Sequence, residues 1–233
     1  MKSTMRSDFR SAVRDYLYLL DKGYPQTPAV SLVGDRYRLP GTERIMLIRG
    51  LCPTGKARER RSKLTAVPPS PEVCLDGYNV LFTILNYRQG KRLFIASDGF
   101  LRDAGGLHGR VRDQDLLADI ARDLVGFLRL RRVEKALVLL DAPVSRSGEH
   151  AALFRELLAG AGLAGGCEVC ASADGRLKAL NPPCPATSDT GIIDALPGPV
   201  YDLARDYLET NHSPAFFTFP SGVSGPQEIQ DDP

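Results

Sequence analysis

Five aspartates stand at, or just past, the carboxyl ends of segments with the pattern of β-strands: Asp76, Asp98, Asp141, Asp174 and Asp189. In an open parallel sheet, ligands bind in the crevice outside these strand ends, so aspartates from neighbouring strands would converge there. Two unit charges about 4 Å apart repel each other by roughly 4 kcal/mol at an effective dielectric constant of 20. A cluster of carboxylates therefore needs either a bound cation or raised pKa values.

The chemistry predicted for such a cluster depends on a hard metal ion. Oxygen ligands with no histidine among them select Mg²⁺ or Mn²⁺, so one of these is the expected cofactor. An ion held by carboxylates retains water, and one such water can attack a phosphodiester while the ion neutralises the developing charge. The alternative for any single aspartate is that it caps the helix after its strand, which is a common arrangement.

Motifs typical of other enzymes are absent from the sequence. It contains no G-x-x-x-x-G-K-[ST] phosphate loop and no G-x-S-x-G nucleophile elbow. Its histidines, His108, His150 and His212, have no spacing typical of a triad or a metal site, although His108 falls in a glycine-rich loop. Cys167 and Cys170 have C-x-x-C spacing, but their segment has strand character, which favours buried cysteines over zinc ligands.

Charge is distributed unevenly along the 233 residues. Residues 1–70 carry 14 Lys and Arg against 6 Asp and Glu, whereas residues 71–233 carry 16 against 22. A basic part followed by an acidic part suits a protein that attracts a polyanion and also holds a cation. Within the basic part, Arg58, Arg60 and Arg61 are candidate phosphate contacts. The alternative is an ordinary solvated linker.

Hydrophobic periodicity divides the chain into four parts. Residues 1–52 form a basic region of short helices, 53–71 a linker rich in proline and arginine, 72–212 an α/β domain, and 213–233 a mostly disordered tail. The α/β part alternates predicted strands (72–76, 92–97, 135–140, 167–172 and 184–188) with predicted helices (79–88, 115–130, 148–158 and 201–208). This alternation predicts a central, mostly parallel sheet between two layers of helices.

The sequence also carries expectations about location. No apolar run approaches the roughly 18 residues that a membrane span requires. The first ten residues are polar and lack the apolar core of a secretory signal. A cytoplasmic protein with no membrane partner is therefore expected, and its oligomeric state is left open.

Short motifs connect the chain to known families. The segment 75–80, Leu-Asp-Gly-Tyr-Asn-Val, resembles the first-strand signature of the PIN-like nucleases, in particular their NYN branch. Segments 139–143 and 186–189 resemble the central strand of that branch and its late Ser-Asp motif, and Asp174 stands where the branch has a further acidic residue. The whole chain resembles domain of unknown function 434 more closely, through segments 23–25, 76–79, 98–103 and 143–148.

The resemblance implies a PIN-like, Rossmann-like three-layer domain and a metal-dependent nuclease that acts on RNA. The metal-binding and catalytic carboxylates would be Asp76, Asp141, Asp174 and Asp189. A further acidic residue on a helix is expected, and Asp113, Asp115 and Asp119 are equal candidates for it. Two other functions remain open: a non-catalytic protein of the same fold that binds nucleic acid or a protein, and a phosphohydrolase for small phosphate esters.

Three polar residues complete the implied site. Asn79 would orient Asp76 or a bound water, and Ser188 would hydrogen-bond a phosphate or the carboxylate cluster. Arg102 is either a phosphate clamp, since a guanidinium matches two phosphate oxygens, or a structural ion pair with Asp98 or Asp103.

Overall fold

The computed structural model describes residues 7–105 and 113–222. The helices α1 to α10 are Ser7–Asp21, Gln26–Arg36, Gly41–Gly50, Thr54–Lys63, Gly77–Arg88, Gln114–Leu130, Ser147–Gly160, Ala173–Leu180, Thr190–Ala195 and Leu203–His212. The strands β1 to β9 are Leu64–Thr65, Glu72–Asp76, Leu93–Ile95, Leu101–Asp103, Lys135–Asp141, Ala164–Cys170, Pro185–Ala186, Val200–Tyr201 and Phe217–Thr218. None of these helices is long and apolar enough to cross a bilayer.

Six strands form a central sheet in the order β1-β8-β7-β2-β5-β6, and every neighbouring pair is parallel. From β2 the chain moves outward through β5 to β6, and then returns to the other side of β2 with β7. The strand order therefore reverses between β7 and β2. In open α/β sheets this reversal opens a crevice at the carboxyl ends of the strands.

The two faces of the sheet carry different helices, because successive side chains of a strand point to opposite sides. Val73 and Leu75 of β2 join the large core that includes α5, α6, α7 and α10. Cys74 between them joins a smaller core on the other face, with side chains of α8 and α9. The α/β architecture with helices on both faces is thus confirmed.

A second, three-stranded sheet was not expected from the sequence. Strand β3, predicted as part of the parallel sheet, instead lies between β4, which is antiparallel to it, and β9, which is parallel. Within the segment 213–233, predicted as a mostly disordered tail, residues 213–222 are ordered, because β9 pairs with β3 and Phe219 is buried. Phe94 and Phe219 share a core with α1, α2 and α3, so the N-terminal helices pack directly on this sheet.

The predicted linker also contains structure, because Thr54–Lys63 is helix α4. Its arginines, lysines and glutamate favour helix, and Pro53 stands just before its first turn, where proline is tolerated. Ala57 is buried, and Lys63 Nζ donates to the carbonyl oxygens of Ile193 and Leu196, both at 2.8 Å. Helix α4 is therefore held against α9 rather than free in solvent.

Candidate active site

A cleft of about 800 Å³ opens at the carboxyl ends of the central strands. We call it the acidic cleft, because aspartates line it: Asp76, Asp103, Asp141, Asp174 and Asp189. The structure thus gathers around one cavity the four aspartates named as metal ligands. Asp98 does not line this cleft; it follows β3 of the second sheet and is completely buried.

Strand register explains how these carboxylates come together. Asp76 ends β2 opposite Leu139, and Asp141 ends β5 two residues further on. Asp189 follows β7, which pairs with β2 on the other side, and Asp174 lies in the first turn of α8, after β6. Four neighbouring strands therefore deliver one carboxylate each to the same edge of the sheet.

The tight turn after Asp76 depends on glycine. Helix α5 begins at Gly77, directly after β2. A Cβ atom at Gly77 would lie 2.8 Å from the carbonyl oxygen of Leu139 and 2.6 Å from Cδ2 of Leu140. The Asp-Gly pair is therefore required for α5 to start against β5 while the Asp76 carboxylate faces the cleft.

Asp76 is held by a residue that sequence reasoning did not identify. Thr187 Oγ1 donates to Asp76 Oδ2 at 2.8 Å and accepts from the backbone N–H of Asp189 at 3.0 Å. Asn79 was expected to orient Asp76 or a bound water; its Oδ1 accepts from the N–H and the hydroxyl of Ser188, at 2.9 and 3.1 Å. Asn79 thus fixes the turn that carries Asp189, and the Ser188 hydroxyl is engaged by this bond.

Asp141 and Asp189 each use one carboxylate oxygen for backbone bonds, whereas Asp174 pairs with a lysine. Asp141 Oδ1 accepts from the N–H of Ala173 at 2.8 Å, and Asp189 Oδ1 accepts from two N–H groups as the cap of α9. Within residues 7–105 and 113–222, no hydrogen bond reaches Asp76 Oδ1, Asp141 Oδ2 or Asp189 Oδ2. Asp174 forms an ion pair with Lys178 at 2.7 Å. One oxygen on each of three carboxylates is therefore available to a ligand.

The charged form of Asp76 is disfavoured in the cleft. The pKa of Asp76 is raised from 3.8 to about 7. Burial is the largest cause, the bond from Thr187 opposes it, and the nearby carboxylates of Asp189, Asp141 and Asp174 add to the rise. Among the described residues, no three His, Cys, Asp or Glu side chains already converge as a metal-binding group. The donors are all oxygens, which suits Mg²⁺ or Mn²⁺, but the carboxylates would have to rotate toward a bound ion.

Arg49 is the cation that lines the acidic cleft within the described ranges, and sequence reasoning did not identify it. It lies in the last turn of α3, and its Nη1 donates to Asp103 Oδ1 and to the carbonyl oxygen of Gly105, both at 3.2 Å. Ile45 and Ile48 of the same helix line the cleft and are each 39% exposed. The N-terminal helices therefore form one wall of the site.

A second cavity of about 450 Å³ adjoins the first. We call it the basic pocket, because Arg49, Lys56, Arg60 and Arg102 line it. The two cavities share the residues Ile48, Arg49, Asn79 and Asp189.

Arg102 takes the structural alternative of the two that the sequence left open. It forms two parallel bonds to Asp98, at 2.9 and 2.8 Å, and its remaining contacts are the carbonyl oxygens of Arg49 and Ser188. Its side chain is 5% exposed, so it acts as an internal brace between α3 and the turn after β7 rather than as a clamp for phosphate.

The three arginines proposed for phosphate contact have different environments. Arg60 binds both oxygens of Asp194, at 2.7 and 2.8 Å. Arg61 donates to the carbonyl oxygen of Ser97 at 2.8 Å. Arg58 is exposed on α4 and lines neither cavity. Arg60 and Arg61 therefore brace α4, whereas Arg58, exposed and outside both cavities, matches the alternative of an ordinary solvated side chain.

The candidates for a further acidic residue on a helix all lie away from the cleft. Asp113 caps α6, Asp115 is exposed, and Asp119 pairs with Arg122 at 2.7 Å. Asp103, from β4, takes a place at the cleft instead. His108 lies outside the described residues.

A chain of hydrogen bonds from Gln114 through His150 to Tyr78 ends at the cleft. Burial, with a smaller effect of Arg146, lowers the pKa of His150, so its ring is neutral. Its Nε2–H donates to Gln114 Oε1, and its Nδ1 accepts the hydroxyl proton of Tyr78, both at 2.8 Å. His150 thus fixes Tyr78, which lines the cleft.

Comparison with known proteins identifies families without an assigned function. Residues 70–206 match the family described as "Domain of unknown function (DUF5616)", and since this match spans more than half of the chain, the protein belongs to that family. Residues 8–63 match "Protein of unknown function (DUF434)". The "Uncharacterized protein MJ0935" of Methanocaldococcus jannaschii is 27% identical over 184 residues, which cover 78% of this chain and 87% of that protein. No solved structure matches the chain.

These matches correct one expectation. The resemblance to domain of unknown function 434 was expected to extend along the whole chain, but that family covers only the N-terminal helices and α4. The central sheet and the four strand-end aspartates lie in the segment of the other family. Arg49 and Asp76 therefore belong to different family segments, although they line the same cleft.

Proposed function

We propose that this member of the DUF5616 family is a nuclease that hydrolyses phosphodiester bonds with the help of Mg²⁺ or Mn²⁺. One observation carries the proposal: Asp76, Asp141, Asp174 and Asp189, from four neighbouring strands, line a single cleft at the reversal of strand order. The raised pKa of Asp76 supports it, because a cation bound beside this buried carboxylate would offset both the cost of its burial and the repulsion from the neighbouring carboxylates. The PIN-like description of the α/β domain is part of this proposal.

The side chains have separate tasks. Asp76 and Asp141, fixed by Thr187 and the N–H of Ala173, would hold the ion, with Asp189 and Asp174 at the rim. A bound Mg²⁺ or Mn²⁺ supplies Lewis acidity toward phosphoryl oxygens and lowers the pKa of a coordinated water.

The apolar wall of the cleft favours a nucleic acid over a small inorganic substrate. Ile45 and Ile48 are each 39% exposed, and Phe82 and Val144 also line the cleft. Such side chains provide a surface on which a base or sugar can pack. RNA is the favoured nucleic acid because the segment around Asp76 resembles the NYN nucleases.

The test is cleavage of end-labelled single-stranded RNA, single-stranded DNA and duplex in MgCl₂ or MnCl₂. Asp76→Asn and Asp189→Asn should each lower the cleavage rate by about 100-fold or more, because each removes charge from the ion site. Asp119→Asn is the matched control, since its carboxylate is exposed and pairs with Arg122, and it should cleave like wild type.

The possible results separate the three functions. Cleavage that survives both active-site substitutions would reject the proposed site. Tight RNA binding without cleavage would favour a non-catalytic binding protein, and turnover of small phosphate esters alone would favour a phosphohydrolase.

A further inference from the structure

The acidic cleft and the basic pocket are adjoining cavities of opposite charge. Five aspartates and Arg49 line the cleft, whereas four cations and two aspartates line the pocket within the described residues. One of the two pocket aspartates, Asp98, is completely buried against Arg102. A ligand that enters both cavities therefore meets a negative and then a positive environment within a short distance.

Two of the pocket's cations are accessible to such a ligand. Arg102 and Arg60 are committed to aspartates, and their side chains are only 5% and 12% exposed. By contrast, the side chains of Arg49 and Lys56 are 38% and 35% exposed. The hydrogen bonds of Arg49 to the described part of the chain use Nη1, which leaves Nε and Nη2 for a ligand.

Lys56 forms ion pairs with two carboxylates, but neither carboxylate needs Lys56 to balance its charge. Its ammonium group lies 3.2 Å from Glu59 and 3.3 Å from Asp194. Asp194 already forms two bonds with Arg60, and Glu59 is exposed. The lysine can therefore turn toward an anion without leaving a buried carboxylate unpaired.

We propose that the basic pocket binds a second phosphate of the substrate, adjoining the phosphate held in the acidic cleft, and that Arg49 and Lys56 recognise it. The inference rests on the proposed nuclease function and narrows its substrate class to molecules with at least two linked phosphates, as in a polynucleotide strand. Ammonium and guanidinium groups form charge-assisted bonds to phosphate oxygens without a metal ion. A substrate with a single phosphate would occupy the acidic cleft alone.

The test compares Lys56→Ala with Arg58→Ala on two substrates. Both variants remove one cation from α4, but only Lys56 lines the pocket. For a single-stranded RNA oligonucleotide, Lys56→Ala should lower kcat/KM about tenfold, as expected for a lost charge-assisted bond. For bis(p-nitrophenyl) phosphate, which has one phosphate, Lys56→Ala should stay within about twofold of wild type, and Arg58→Ala should do so on both substrates. Equal losses for the two variants, or an equal loss on both substrates, would overturn the proposal.

A binding measurement separates this proposal from the nuclease itself. Anisotropy of fluorescent RNA is measured against salt in an Asp141→Asn background, which removes cleavage. Lys56→Ala should reduce the slope of log K against log salt by about 0.7, and Arg58→Ala should not. If Lys56→Ala reduces the slope but the wild-type protein does not cleave RNA, the pocket is supported and the nuclease is rejected. Cleavage with an unchanged slope would reject the pocket alone. Arg49→Gln, which keeps a donor toward Asp103, serves as a second variant with the same expected change.

Discussion

Replacing Asp202 by asparagine should make the stability of the protein less dependent on pH. Asp202 is 2% exposed and accepts hydrogen bonds from the backbone N–H groups of Leu101, at 2.7 Å, and Arg205, at 3.3 Å. Burial raises its pKa from 3.8 to about 7, and the two backbone bonds only partly oppose this change. Charged Asp202 is therefore costly in the folded protein.

The sign of the effect follows from the two pKa values. The folded protein retains the Asp202 proton up to about pH 7, whereas the unfolded chain loses it near 3.8. The stabilisation is thus complete below the unfolded pKa and is lost as the pH rises through the folded one. The difference corresponds to about 4 kcal/mol in total, of which about 3 kcal/mol falls between pH 4.5 and 8.0.

The assay is urea unfolding of wild type and Asp202→Asn at these two pH values. Asparagine keeps one acceptor oxygen and a good capping side chain, so the loss of one hydrogen bond costs the same at both pH values. Comparing the two proteins removes the contribution of other titrating groups. From pH 4.5 to 8.0, wild type should lose about 3 kcal/mol relative to the variant. A relative change below about 0.5 kcal/mol would refute the assignment of this pH dependence to Asp202.

Three further predictions follow from named contacts. Asp194→Asn should show the opposite pH dependence, because the bonds from Arg60 lower the pKa of Asp194 in the folded protein. In urea unfolding, the variant should be less stable than wild type at pH 8, and this difference should disappear as the pH falls through the folded pKa. Arg102→Ala removes the two parallel bonds to buried Asp98 and leaves it with the N–H of Phe100 and the longer 3.5 Å contact to Arg60; it should lower the unfolding free energy by about 3 kcal/mol, with Arg102→Lys recovering only part because an ammonium cannot form two parallel bonds. In scanning fluorimetry, MnCl₂ should raise the Tm of wild type, by an amount equivalent to about 2.7 kcal/mol at 100 times Kd, and should leave the Tm of Asp76→Asn unchanged.

The strand-end aspartates could be predicted because their signals are local. Segments 72–76 and 135–141 are short apolar runs that end in Asp76 and Asp141, and the structure makes both of them strands of the central sheet. The glycine after Asp76 is local evidence of the same kind, since the start of α5 against β5 excludes a side chain there.

What could not be predicted depends on contacts between distant parts of the chain. Arg49 is one of 14 basic residues in the first 70, and only the packing of α3 on the second sheet places it beside the aspartates. The sequence from Ser221 onward is polar, and this polarity is the basis of the prediction that 213–233 is mostly disordered. Pairing of β9 with β3 and burial of Phe219 order residues 213–222, and neither contact is visible in the local sequence. The role of Thr187 could not be predicted for the same reason, because its contact with Asp76 spans 111 positions of the chain.

The most direct test of the proposed ion site is anomalous diffraction at the manganese edge from crystals grown with MnCl₂. The proposal predicts a peak in the acidic cleft, coordinated by Asp76 and at least one of Asp141, Asp174 and Asp189. A cleft without a peak, at a manganese concentration at which the protein cleaves RNA, would contradict the assignment of these carboxylates to metal-dependent hydrolysis.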